Sequence, residues 1–163
     1  MIILEDTRQQ KDKHRNIAEH FEKNGITIIR QKLLVGDYTL PTDQHVCIDT
    51  KKDLRELLMD LGVDKGRFMR EVALAKRLGI RLVILVEHGG NIRQISDVSG
   101  WNNPILNPQN PKYNPRALDG RALMKRIYAV HQNYGTDFIF CGKSETGAKI
   151  VEILSGGWGE RSE

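Results

Sequence analysis

The sequence predicts a three-layer α/β domain: a central mixed β-sheet flanked by helices. Strand-like and helix-like segments alternate from end to end, the pattern of layered α/β packing. Two early strand-like runs meet at Gly36-Asp37, so an antiparallel hairpin is expected there, and that makes the sheet mixed. Residues 80–86 are a near-continuous apolar run of strand length, as central strands buried on both faces are.

The elements follow in order. Residues 2–4 read as a short strand ending at Glu5-Asp6. Residues 11–24 read as a helix, with Ile17, Ala18 and Phe21 on one face and Asn24-Gly25 as the stop signal. Residues 26–34 are rich in β-branched side chains and read as a strand, paired through Gly36-Asp37 with Tyr38-Thr39-Leu40. Residues 45–51 are the next strand. Residues 53–61 are a helix with Leu54, Leu57, Leu58 and Leu61 inward. Asp64 is placed to cap the next helix, whose buried face is Phe68, Val72 and Ala75 and which ends at Gly79. After the strand at 80–86 comes the loop Glu87-His88-Gly89-Gly90. Residues 99–115 hold four of the five prolines and five asparagines. A loop of that length is functional, disordered or ordered by a partner. A helix at 118–132, a strand at 138–141 and a capped helix at 144–154 close the domain, which spans 1–155. Residues 156–163 read as a frayed tail, and the chain shows no internal repeat.

The 163 residues are the length of one domain with a sizeable core. No apolar run approaches the about 20 residues that cross a bilayer, and the first residues lack the apolar core of a signal peptide. A cytoplasmic protein with no membrane association is expected. Lys and Arg number 25 against 21 Asp and Glu, a net charge of +4. The excess is clustered: residues 64–81 hold six basic and two acidic side chains, and residues 88–143 hold seven and three. Such clusters suit an anionic partner such as nucleic acid, or form a solvated face. Cys47 and Cys141 have no Cys or His at metal-site spacing, so zinc is not expected. His14, His20, His45, His88 and His131 show no ligand spacing either. No phosphate-binding glycine motif is present, so no nucleotide cofactor is expected.

The informative stretch is Val35-Gly36-Asp37-Tyr38-Thr39-Leu40, then Val46-Cys47-Ile48-Asp49-Thr50-Lys51-Lys52. Strand side chains alternate, so Asp49 and Lys51 project together while Val46 and Ile48 point to the core. Asp37, at the turn before the neighbouring strand, can reach the same place. Magnesium takes one or two carboxylates plus waters and phosphate oxygens. Asp37 and Asp49 could hold such a metal, which would polarise a phosphate and acidify a water. Lys51 could stabilise the developing negative charge. The other reading is ordinary: Gly-Asp is common turn chemistry, and an Asp–Lys pair on one strand face is often a surface ion pair worth little.

These residues resemble the nuclease domain of the XPF-type structure-specific endonucleases, in the PD-(D/E)XK superfamily. The family's motif is Gly-Asp, a strand, then Glu-Arg-Lys and a following Asp. Here it reads Gly36-Asp37, then Asp49-Thr50-Lys51, then Asp53. Asp6-Thr7-Arg8 is similar to the family's first motif, and Gly66-Arg67-Phe68 and the strand ending at Glu87 also match. The likeness is clear over residues 1–90 and greatest to small stand-alone phage or prophage versions. Asp49 stands where the family has Glu, Thr50 where it has Arg, Arg55 where it has the downstream Asp, and Gln9 where the first motif has a trailing Glu. The resemblance implies a restriction-endonuclease-like fold and a Mg²⁺- or Mn²⁺-dependent endodeoxyribonuclease. It makes Asp37, Asp49 and the Thr50 backbone carbonyl metal ligands, Lys51 the catalytic lysine and Asp6 a third acidic member of the site. It further implies a branched, flap or junction DNA substrate in repair, recombination or phage DNA processing, and a possible homodimer. The alternatives are a catalytically decayed DNA-binding module and a structural partner of the same fold.

Other residues carry two readings each. Arg8, Lys52, Arg67, Arg121 and Lys125 are candidate DNA contacts. Against that, Arg67 can pair with Glu71 one turn on, and Arg121 and Lys125 can form a solvated face with Arg126. Glu87 ends the central strand, where α/β proteins often place functional groups, or is an ordinary strand end. Trp101 and Tyr113 could stack on bases or anchor their loop.

Overall fold

The computed structural model describes residues 1–9, 14–62 and 64–157. The strands are β1 (Ile2–Asp6), β2 (Thr27–Gln31), β3 (Tyr38–Thr39), β4 (Val46–Lys51), β5 (Arg81–Glu87) and β6 (Asp137–Cys141). The helices are α1 (Arg15–Lys23), α2 (Leu54–Leu61), α3 (Lys65–Arg77), α4 (Gly120–Tyr134) and α5 (Thr146–Leu154). The expected first turn of α1 at 11–13 and most of the expected tail lie outside the described residues. Among the described residues no helix is long and apolar enough to cross a membrane.

The sheet runs β2-β1-β3-β4-β5-β6 and is mixed, as expected. β1 and β2 are parallel, β3 is antiparallel to β1 and β4, and β4, β5 and β6 are parallel. The expected hairpin across Gly36-Asp37 does not form. β1 lies between β2 and β3, and the antiparallel partner that follows β3 is β4. Residues 32–36, read as strand and turn, cross the end of β1 instead. Side chains there take the backbone groups a ladder would have used: Leu33 N–H donates to Asp6 Oδ2 at 3.1 Å, and Arg8 Nη2 donates to the Leu33 carbonyl at 3.1 Å.

Alternation on β5 separates two cores. Leu82, Ile84 and Val86 pack with Leu54, Leu57 and Leu61 of α2, Phe68 and Val72 of α3, and Leu123 and Ile127 of α4. Val83 and Leu85 pack on the other face with Ile17 and Phe21 of α1 and Ile150 and Ile153 of α5. This makes three layers: α2, α3 and α4, the sheet, then α1 and α5. The alternation on β4 holds too, with Ile48 in the second core, but Cys47 is buried in the first, so both faces of β4 are covered.

The Pro/Asn segment is folded. A 3-10 turn at Ile95–Gly100 leads into it, and another at Pro104–Leu106 lies within it. A repeat missed in the sequence orders it: Asn-Pro recurs at 103, 107, 110 and 114. Each of these asparagine oxygens accepts the N–H two residues on, from Ile105, Gln109, Lys112 and Arg116, at 2.8–3.2 Å. These are Asx-type turns, in which proline supplies the fixed φ and no competing N–H. Trp101 packs against the first core, while Tyr113 is exposed.

Candidate active site

The site forms where β1, the turn before β3 and the C-terminal end of β4 meet α2 and α3. Gly36 makes the turn possible. Its φ is +71°, and a Cβ would stand 2.9 Å from the Ile48 carbonyl oxygen and 3.2 Å from the Cys47 Cβ. Asp37 is thereby pressed against β4. Its N–H donates to the Ile48 carbonyl at 2.7 Å, and its carbonyl accepts from Asp6 N–H at 2.8 Å. Its Oδ2 accepts from Thr50 N–H at 2.8 Å and from the Thr50 hydroxyl at 2.7 Å. The N–H and C=O of one strand residue point to the same edge, so the Thr50 carbonyl faces this edge too.

Asp49 and Lys51 leave β4 together on the α2/α3 side and are buried, which removes the surface ion-pair reading. Lys51 Nζ lies 2.8 Å from Asp49 Oδ2, 2.6 Å from Asp60 Oδ2 and 5.7 Å from the centre of the Phe68 ring. Asp60, on α2, escaped sequence reading. The signal was there: it is a carboxylate three residues after Leu57 and one before Leu61, on the apolar stripe of its helix. Glu71 of α3 does not pair with Arg67; its Oε1 accepts Gly36 N–H at 2.8 Å and ties the turn to the helix. Arg67 reaches instead to 4.0 Å from Asp60 Oδ1. Asp6 also lines the cleft, but its oxygens accept four hydrogen bonds, from Arg8 N, Nε and Nη2 and from Leu33 N.

The remaining candidates lie apart. Lys52 is exposed, its N–H donating to Glu56 Oε2 at 2.8 Å. Asp53 caps α2, accepting Glu56 N–H at 2.8 Å. Arg121 and Lys125 are exposed on α4 and do not line the cleft. Glu87 is buried behind β4 and faces His14, a residue the sequence did not single out as a partner.

The cleft encloses about 340 Å³ and is a concentrated negative well. Asp37, Asp49, Asp60 and Glu71 share it with Lys51, while Arg8 and Arg67 stand at its rim. Burial lifts Asp37, Asp49 and Glu71 above the usual carboxylate range, Asp49 to about 7. Lys51 lowers Asp49 again in part, while Asp37 and Asp60 add to the rise. Burial acts against the charge on Lys51, but Asp49 and Asp60 overcome it and hold the ammonium firmly protonated. For Asp6 burial is likewise outweighed, here by Arg8, and the carboxyl sits below its ordinary value. Among the described residues, Asp49 has no hydrogen-bonding or ionic partner but Lys51, and Asp37 Oδ1 has none.

No group of three or more His, Cys, Asp or Glu side chains is poised as a metal cage among the described residues. A hard cation needs less: two carboxylates, a carbonyl and water suffice for Mg²⁺ or Mn²⁺. Two carboxylates held above their ordinary pKa by desolvation, Asp49 buried and Asp37 half-buried, beside a carbonyl fit that donor set, because a cation would offset the cost of their charge.

Residues 6–154 match the family model of the ERCC4 domain. The chain belongs to the ERCC4 domain family. That agrees with the XPF-type resemblance of its motifs. In structure this ERCC4 domain is similar to XPF from Aeropyrum pernix, with a TM-score of 0.65, 16% identity and 96% of this chain covered. It is equally similar to XPF from Aeropyrum pernix in complex with DNA, with a TM-score of 0.64, 17% identity and 96% covered. The ERCC4 domain spans 65% and 64% of those two chains, so the likeness is one of fold. No curated protein matches it in sequence.

Proposed function

We propose that this ERCC4 domain is a divalent-metal-dependent endonuclease that hydrolyses phosphodiesters in branched, flap or junction DNA. The observation that carries the reading is the buried Asp49–Lys51–Asp60 group beside Asp37, under a rim bearing Arg8 and Arg67. Asp37, Asp49 and the Thr50 carbonyl would hold Mg²⁺ or Mn²⁺, which when bound acidifies a water and polarises a phosphoryl oxygen. Lys51, kept charged by its two carboxylates, offers a fixed positive charge where negative charge develops on the phosphate. Asp60 shares the ammonium and so positions it. Arg67 and Arg8, with side chains 77% and 60% exposed, meet the flanking phosphates. Asp6 orients Arg8 and, through its N–H, the Asp37 turn.

A branched substrate and a role in repair, recombination or phage DNA processing are supported by the XPF-type motifs, and DNA as the partner is supported by the DNA complex of the Aeropyrum pernix relative. A homodimer belongs to the same proposal; light scattering that finds only an 18.6 kDa species would remove it.

The test is cleavage of labelled duplex, single-stranded, flap, fork and four-way DNAs with Mg²⁺, Mn²⁺ or EDTA, wild type beside Asp49→Ala and Lys51→Ala. Metal-dependent cutting that both substitutions abolish is expected. Binding of branched DNA without cutting under any metal would leave a decayed DNA-binding module. No DNA binding would leave a structural partner.

A further inference from the structure

Three polar side chains are buried behind the site with no role in the reading above. Glu87 ends β5 at 4% exposure, His14 precedes α1 at 4%, and Thr50 on β4 is at 1%. By strand alternation the Thr50 side chain lies on the sheet face opposite Asp49 and Lys51. The three form one line: Glu87 Oε1 is 3.2 Å from His14 Nδ1, His14 Nε2 is 3.3 Å from Thr50 Oγ1, and Thr50 Oγ1 is 2.7 Å from Asp37 Oδ2. Gln9 Nε2 also donates to Thr50 Oγ1, at 3.1 Å.

Hydrogen-bond accounting gives the line a direction. A hydroxyl has one proton and two acceptor sites. Gln9 Nε2 fills one acceptor site, the hydroxyl donates to Asp37 Oδ2, and the remaining site faces His14 Nε2. Stability alone does not require this arrangement. Replacing a buried polar or charged pair by apolar groups of similar volume is often neutral or stabilising, and both cores alongside are apolar.

We propose that Glu87, His14 and the Thr50 side chain are positioning residues that orient Asp37 for a divalent cation. Glu87 orients the ring, the ring fixes the Thr50 hydroxyl, and the hydroxyl with Thr50 N–H pins Asp37 Oδ2. Asp37 Oδ1, which has no partner among the described residues, is thereby turned to the cation. Partners of this kind behind a ligand typically change metal affinity or activity by about 10–100-fold. The inference rests on the metal-dependent reading above and concerns one face of that site.

The experiment is Mn²⁺ binding by calorimetry, with thermal denaturation alongside, on the whole chain. Thr50→Val is expected to weaken Mn²⁺ binding about tenfold or more, and Thr50→Ser, which keeps the hydroxyl, to restore it. The double variant His14→Phe/Glu87→Leu removes the support with apolar groups. It is expected to weaken Mn²⁺ binding while its melting temperature stays at or above that of wild type. Wild-type affinity in folded Thr50→Val or in the double variant would overturn the inference. So would unfolding of the double variant, since the pair would then be structural. If Thr50→Val does not fold, the double variant decides. If wild type binds no Mn²⁺, or Asp49→Ala binds it equally well, the metal-dependent reading itself fails, and the positioning role falls with it.

Discussion

Asp49 is held ionised at a cost, and Asp49→Asn should expose that cost as a gain in stability. Its pKa rises from 3.8 to about 7 on folding, mainly through burial. A carboxyl whose folded pKa is raised contributes stability at low pH and loses it as pH rises through the folded value. Here the loss falls between about pH 4 and pH 7, and three pKa units correspond to about 4 kcal/mol. Asparagine keeps the shape and cannot ionise. In EDTA at pH 8, Asp49→Asn is therefore expected to be more stable than wild type by up to about 4 kcal/mol, or about 10 °C in melting temperature. At pH 5 wild type has regained its proton and the gap falls to less than half. Millimolar Mg²⁺ at pH 8 should raise the wild-type melting temperature, since the folded state alone offers the site, and leave Asp49→Asn unmoved. Thermal melts by circular dichroism over the four combinations of pH and metal measure all of this. A variant no more stable than wild type in EDTA at pH 8 would refute the reasoning. A Mg²⁺ response that survives the substitution would refute the assignment of Asp49 as a ligand.

Two further expectations follow from the geometry. Gly36→Ala combines a left-handed φ with a Cβ 2.9 Å from a backbone oxygen. It should cost at least about 1–2 kcal/mol in urea denaturation and displace Asp37, so cleavage falls more than stability does; unchanged activity would show that the turn is not needed in this form. Arg67→Ala should weaken DNA binding uniformly across sequences and lower the salt slope by about one, read by anisotropy titrations at several salt concentrations; an unchanged slope would remove Arg67 from the interface.

Much of this site was legible because its chemistry is local. Gly36-Asp37 and Asp49-Thr50-Lys51 each lie within one turn or one strand, and period-two alternation was enough to pair Asp49 with Lys51. α2, α3 and β5 were legible for a similar reason, since the apolar residues of α2 and α3 recur at helical spacing and those of β5 form one unbroken run. The strand order was not legible. Residues 26–40 look like a hairpin by adjacency, but the edge of β1 was already available through the α1 crossover, and Asp6 and Arg8 claim the backbone of the connecting segment. Asp60 stayed hidden because a single carboxylate on an apolar helix face looks like noise until a lysine is placed under it. His14 stayed hidden because its two partners, Thr50 and Glu87, are 36 and 73 residues away.

The Asn-Pro steps of the segment at residues 99–115 have a consequence for the protein's chemical lifetime. Asparagine in an exposed loop ages by deamidation, in which the backbone nitrogen of the next residue attacks the side-chain amide. Proline has no N–H with which to do so. Four of the five asparagines in that segment are followed by proline, and Asn102 alone is not. The side chains that hold the loop's shape are thus shielded from the commonest spontaneous damage to their type. The same proline ring that sets each turn also keeps its capping amide intact.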